Sequence, residues 1–324
     1  MEKSQKVFNF VSLLNIIKME STCVPNTNTS VVAQKIKPIT LEDAKRDFYE
    51  LKQFALAGRT VTDRCRIGNN VVDFFTYEER LHTKGKYNVS YYEFIERIPQ
   101  FTQKKFIQNM LNYYSTVKNK NKTKNQWVVW KEVYNICISA INIFRPLVAV
   151  DIYRKYKPTS VLDICAGWGG RLVGAVVLGV PRYTGIEINH ALKEPYQKMM
   201  AFLKEEGGES QMNMLFEDAL HVDYSALPKY DMVLTSPPYY FLEKYQHNLE
   251  YKDKDDMDKH FYEPLFKKVY AHLENNGHMI LNVNSEVYDR VCVKVLGEAN
   301  EKIPLKKSKR QNEYGEFLYV WKKI

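Results

Sequence analysis

The stretch "SVLDICAGWGGRLVGA", residues 160–175, decides how the rest of the chain is read. Its first six residues are apolar apart from Ser160 and Asp163, with Pro158 just upstream and glycines just downstream. A short apolar run bounded by such residues reads as a buried strand. Gly167, Gly169 and Gly170 then allow a tight turn in which a ligand can approach the backbone, and the apolar run from Leu172 opens a helix. Strand, glycine turn and helix in that order begin a strand–helix–strand unit.

Working outward, the same pattern repeats. "YTGIEI" (183–188), "MNMLFEDA" (212–219), "YDMVLT" (230–235) and "HMILNV" (278–283) are short strand-like runs separated by helix-length segments, the last of which ends at Gly277. Runs that are apolar on both faces belong to a parallel sheet covered on both sides. Two further strands, near "EKIPLK" and "EFLYVWKK", are joined by a polar basic loop and should pair antiparallel. The expected fold is α/β: a doubly wound, mostly parallel seven-stranded Rossmann-like sheet with an antiparallel C-terminal hairpin. Upstream, residues 1–39 read as an irregular lead-in and 40–140 as a mainly helical basic extension, leaving 141–324 for the α/β domain. Thr40 opens a helix that Gly58 closes, residues 60–125 mix helices with loops, and the helical pattern from Trp127 to Tyr156 restarts at Pro146.

The bulk numbers narrow the class. The 324 residues are 45% hydrophobic, enough for a sizeable core, yet no apolar run approaches the roughly 20 residues that cross a bilayer. Asn9 and Asn15 interrupt the apolar patch of "MEKSQKVFNFVSLLNII", which reads as a short helix or an untidy extension rather than a secretory signal. Five cysteines without a C-x-x-C pair argue against a disulfide scaffold and a zinc site, and for a reducing intracellular compartment. Net charge is +9, and it is uneven: Lys84–Lys131 holds ten basic residues against two acids. Lys118, Lys120, Lys122 and Lys124 fall in "KNKNKTKN", a polar loop expected to be mobile, and Lys306, Lys307, Lys309 and Arg310 form "KKSKR". Such clusters suit a polyanionic partner, although a solvated loop has the same composition.

In doubly wound folds ligands bind beyond the carboxyl ends of the strands. The first strand ends in Asp163 and continues through Ala166, Gly167 and Gly169. The second ends in Glu187, placed to accept from two ribose hydroxyls, and the third in Glu217-Asp218, placed to meet an exocyclic adenine amine. Leu172 stands where a dinucleotide fingerprint needs its last glycine, and no triphosphate-binding loop is present. A ligand with a ribose and an adenine but no phosphates fits better, and S-adenosylmethionine is that ligand. Each residue also has a plainer reading, as turn glycines or helix N-caps.

The fourth strand runs straight into Ser236-Pro237-Pro238-Tyr239. Prolines end a strand and hold the following backbone rigid. Asp163 through Gly169, Glu187, Asp218 and this tetrapeptide, in this order, resemble class I S-adenosylmethionine-dependent amino methyltransferases of the DNA adenine-N6 or cytosine-N4 type. The wording is similar to enzymes of large DNA viruses and phages, and the resemblance covers about residues 140 to 324. It implies direct methyl transfer to the exocyclic amine of a flipped-out base. Ser236 Oγ and the Pro237 carbonyl would hold the two amine hydrogens, Pro238 would fix that carbonyl, and Tyr239 would stack on the base. Tyr240 or Phe241 would line the other wall or pack in the core, and Glu243 is a candidate for assisting Ser236. Arg145, in "INIFRPLVAVDIY", would reach the cofactor carboxylate or merely cap a helix. Serine in the first position is commoner among cytosine-N4 enzymes but occurs in both, so the target base stays open. DNA as partner rests on the resemblance; RNA or protein-amide methylation, or a catalytically silent nucleic-acid-binding protein, are the alternatives. No Pro-Cys dipeptide is present, which counts against methylation at cytosine C5, and Cys165 reads as a small buried residue.

Overall fold

The computed structural model describes residues 28–59, 65–85, 87–241, 250–305 and 316–324. Seven strands form one sheet: β1 (Ser160–Asp163), β2 (Arg182–Ile186), β3 (Gln211–Leu215), β4 (Tyr230–Thr235), β5 (Leu273–Val283), β6 (Glu301–Pro304) and β7 (Phe317–Lys322). Their order is β3-β2-β1-β4-β5-β7-β6. The first five are parallel to one another, and β7 runs antiparallel between β5 and β6. This is the doubly wound Rossmann-like sheet expected from the sequence, with its antiparallel C-terminal pair. Strand order reverses between β1 and β4, and in doubly wound folds the carboxyl ends of the strands at such a switch point are where ligands bind.

Alternation along the strands divides the core in two. Val161, Tyr183, Met232, Leu234 and Ile280 face one cluster with the helices Leu41–Leu56, Asn69–His82, Pro146–Tyr156, Gly170–Val177 and Lys193–Glu205. Their neighbours Leu162, Ile186, Val233, Met279 and Leu281 face the other, against Leu265, Phe266 and Val269 of the helix Glu263–His272. Period-2 burial on both faces explains why these strands read as unbroken apolar runs.

The chain forms two compact units, one of Met1–Pro38 with Tyr87–Ala140 and one of Ile39–Lys86 with Ile141–Ile324. The units differ from a division at residue 40, because Phe48 and Leu51 of the helix Leu41–Leu56 are buried in the same cluster as Leu147 and Met199. Thr40 caps that helix reciprocally with Asp43, and Gly58 follows its end at φ 62°. In the other unit, the helices Thr29–Ile36, Tyr91–Glu96, Lys105–Tyr113 and Gln126–Cys137 enclose Val32, Phe94, Ile107 and Val133. The Tyr134 ring meets Tyr91 and Phe94 edge-on, and its hydroxyl donates to the Val89 carbonyl at 2.7 Å.

Two expectations are corrected. The lead-in is helical over Thr29–Ile36, because Asn28 accepts from the Ser30 N–H as an N-cap and Val32 and Ala33 are buried. The helix before β5 ends at His272 rather than Gly277: Leu273 already pairs with Tyr230, and residues 274–277 bulge before His278 pairs with Met232. Residues 119–125 form the expected polar loop, in which the Asn119 side chain bonds both the N–H and the carbonyl of Lys124. Among the described residues no helix is long and apolar enough to cross a membrane.

Candidate functional site

The carboxyl ends of β1, β2 and β4 lie side by side, since Asp163 pairs with Gly185 and Leu162 with Val233. The Cys165 N–H donates to Thr235 Oγ1 at 3.2 Å, joining the glycine turn to the last residue of β4. Gly167 and Gly169 have φ of 58° and 90°, a region costly for other residues. A Cβ on Gly170 would lie 1.8 Å from the Phe144 carbonyl oxygen, so the segment entering the helix Pro146–Tyr156 presses on the turn. A Cβ on Gly167 would meet only the Cys165 carbonyl oxygen, at 3.8 Å, which leaves that side of the turn uncrowded.

The strand-end acids differ in their surroundings. Glu187 is 9% exposed and accepts from the Gly167 N–H at 2.7 Å and the Asn189 N–H at 2.9 Å. Burial pushes its carboxyl up to about 7, partly offset by those two N–H donors. Asp218 stands just beyond β3, accepting from the Leu220 N–H at 2.9 Å, with His221 Nδ1 at 3.1 Å. Asp163 is fully buried, and its Oδ2 accepts from Arg171 Nε and the Tyr183 hydroxyl, both at 2.7 Å. Its Oδ1 has no hydrogen-bond partner among the described residues. Burial, and secondarily the charge of Glu187, pushes the Cys165 thiol up, so a reactive thiolate is disfavoured there.

At the end of β4, Ser236 Oγ donates to Asn282 Oδ1 at 3.3 Å and lies 3.3 Å from the Tyr239 hydroxyl. Donating its proton to Asn282 leaves the serine oxygen's lone pairs to accept from elsewhere. Pro237 is buried and Tyr239 partly exposed. The Pro238 carbonyl accepts from the Tyr262 hydroxyl at 2.5 Å and is thereby engaged within the fold. Tyr240 is 5% exposed and belongs to the core, whereas Phe241 is 43% exposed. Arg145 donates to the Cys65 carbonyl at 2.9 Å from the N-cap position of the helix Pro146–Tyr156.

Lys118, Lys120, Lys122 and Lys124 are all exposed, and Lys124 pairs with Glu132 at 2.6 Å. Phe106, Tyr113 and Val117, on the same helical segment, are 47%, 43% and 59% exposed. Lys306, Lys307, Lys309, Arg310 and Glu243 lie outside the described residues. Sequence reading missed Arg171, Asn282 and Tyr262. Asn282 could have been found, because it is the polar residue near the carboxyl end of β5 and that strand end was not read.

No family model matches the chain, and no curated protein does. Among solved structures, TrmN from Thermus thermophilus is 19% identical with a TM-score of 0.40, over 55% of this chain and 49% of that one. A putative RNA methyltransferase from Pyrococcus horikoshii is 15% identical with a TM-score of 0.37, over 55% of this chain and 81% of that one. An rRNA methylase from Streptococcus thermophilus is 14% identical with a TM-score of 0.37, over 57% and 99%. The chain thus spans about half the length of the Thermus protein.

Proposed function

We propose that the protein is an S-adenosylmethionine-dependent methyltransferase acting on the exocyclic amine of a nucleic-acid base, adenine N6 or cytosine N4 in DNA. The observation that carries this reading is the meeting of the glycine turn, Glu187 and Ser236-Pro237-Pro238-Tyr239 at the carboxyl ends of β1, β2 and β4. The residues fit the cofactor. Gly167 leaves open ground beside the turn, Glu187 and Asp218 offer carboxylates to hydroxyl and amine donors, and buried Asp163 Oδ1 is an orphan acceptor suited to an ammonium or a bridging water. S-adenosylmethionine supplies a methyl group on a sulfonium that leaves as a neutral thioether.

A base amine is a poor nucleophile because its lone pair is delocalised into the ring. Ser236 Oγ, oriented by Asn282, accepts one amine hydrogen and the Pro237 carbonyl the other, which frees the lone pair. Tyr239 stacks on the base, and Arg145, whose Nη1 holds the Cys65 carbonyl, is the candidate for the cofactor carboxylate through its other N–H groups. The helical unit supplies the nucleic-acid contacts: Lys118, Lys120, Lys122 and Lys124 for phosphates, and exposed Phe106 and Tyr113 for bases. RNA is the second reading, since exposed rings beside lysines suit unpaired strands of either kind.

Transfer of labelled methyl groups to DNA, RNA and protein, followed by nucleoside analysis, tests the proposal. The expected product is N6-methyladenine or N4-methylcytosine, in DNA ahead of RNA. Label confined to protein or to C5 of cytosine would refute it.

A further inference from the structure

We propose that the Tyr262 hydroxyl is a positioning group that clamps the Ser236–Tyr240 turn, backed by a lock of Asp258 and Arg290 on the Tyr240 side chain. The inference rests on the reading of that turn as the methyl-transfer site. Tyr240 has φ of 47°, the left-handed region in which an aromatic residue stays only when its surroundings hold it. Both ends of Tyr240 are held. Its N–H donates to the Tyr262 hydroxyl at 3.0 Å, and that hydroxyl in turn donates to the Pro238 carbonyl. Its own hydroxyl donates to Asp258 Oδ1 at 2.8 Å and lies 3.2 Å from Arg290 Nε. Arg290 binds the other oxygen of Asp258 through Nε at 2.9 Å and Nη2 at 2.6 Å, and also reaches Asp255.

All three clamping residues sit in π-helical turns. Asp258–Tyr262 is one such turn, between the helices Lys254–Met257 and Glu263–His272, and Tyr288–Cys292, which holds Arg290, is another. A π turn adds a residue to the helical repeat, and such bulges recur at functional sites. The first brings Asp258 and Tyr262, four residues apart, onto the two ends of Tyr240. With Tyr240 fixed, the backbone from Pro238 to Tyr240 is fixed, and Tyr239 is kept with its hydroxyl beside Ser236. A misplaced acceptor costs rate rather than affinity, so the clamp acts on the chemical step.

Tyr262→Phe removes one oxygen and keeps the ring, which packs edge-on against Tyr240 and beside Phe266. Two measurements on the full-length protein decide the matter. Hydrogen exchange at the Tyr240 amide should accelerate at least tenfold in Y262F, and single-turnover methyl transfer from S-adenosylmethionine to mixed-sequence DNA or RNA should slow about tenfold or more. The Kd for S-adenosylmethionine should stay within twofold and KM for the nucleic acid within threefold. Arg290→Gln, at a half-exposed position, should give a smaller change in the same direction. Unchanged Tyr240 exchange in Y262F overturns the clamp whether or not the enzyme is active, as does an unchanged transfer rate. A wild-type protein that binds no S-adenosylmethionine overturns the underlying reading of the site instead, and with it the catalytic purpose of the clamp.

Discussion

Asp163 and Arg171 form a buried ion pair directly beneath the glycine turn, with side chains 0% and 4% exposed. The sequence places Asp163 at a strand end facing a ligand; the structure turns one of its oxygens to Arg171 and Tyr183. Asp163→Ala would strand the guanidinium without its partner, so the variant should lose about 3–5 kcal/mol of stability. Denaturant titration reads that loss, and a loss under about 1 kcal/mol would show the pair to be dispensable. Glu187 behaves differently. Its carboxyl is raised from 4.5 to about 7, so the folded protein keeps a proton that the unfolded chain releases as pH rises through that window. Stability therefore falls between about pH 4.5 and 7 on account of this group and is level above it. In the proposed site ribose hydroxyls would donate to the ionised form, so affinity for S-adenosylmethionine should rise with pH from about 6 to 8, and Glu187→Gln should flatten that rise. Calorimetry across this range checks both; a wild-type affinity independent of pH would remove Glu187 from the site.

At the scale of elements, β1, β2, β4 and the second half of β5 were legible because both faces are covered, so their apolar runs are nearly unbroken and prolines and glycines lie close to their ends. The β5 boundary was not legible. Residues 274–277 bulge while the strand pairing spans them, and Gly277 must be glycine because a Cβ would lie 2.7 Å from the Asp231 carbonyl oxygen. The Tyr240 clamp was illegible for another reason: its partners lie 18, 22 and 50 residues away, and no local pattern announces such an arrangement. The helix Thr29–Ile36 was missed because Ser, Thr and Asn outnumber apolar residues before it, although Asn28 is its cap. The basic segment carries its own prediction. Replacing Lys118, Lys120 and Lys122 by Gln should weaken nucleic-acid binding for all sequences alike. The salt slope should fall by roughly 0.7–0.9 for each phosphate that is no longer neutralised. Anisotropy titrations from low to moderate salt measure it; an unchanged slope would make these lysines a solvated surface.

For the molecule as a whole, the sheet brings to one edge groups that are up to 119 residues apart, from Asp163 in β1 to Asn282 in β5. The sequence located the glycine turn, Glu187, Asp218 and the Ser-Pro-Pro-Tyr segment at or just beyond strand ends, because apolar runs and prolines mark those ends. It could not reveal that Asn282 orients Ser236, or that Tyr262 takes the Pro238 carbonyl, since those relations exist only once the strands are aligned. In the proposed reaction Ser236 serves the reacting amine rather than merely ending a strand. Single-turnover methyl transfer by Ser236→Ala, beside calorimetry of S-adenosylmethionine binding, tests it most directly. The chemical step should slow on the order of 10²-fold, with cofactor affinity within twofold of the parent. A chemical step as fast as the parent's would contradict it and leave Ser236 a turn residue.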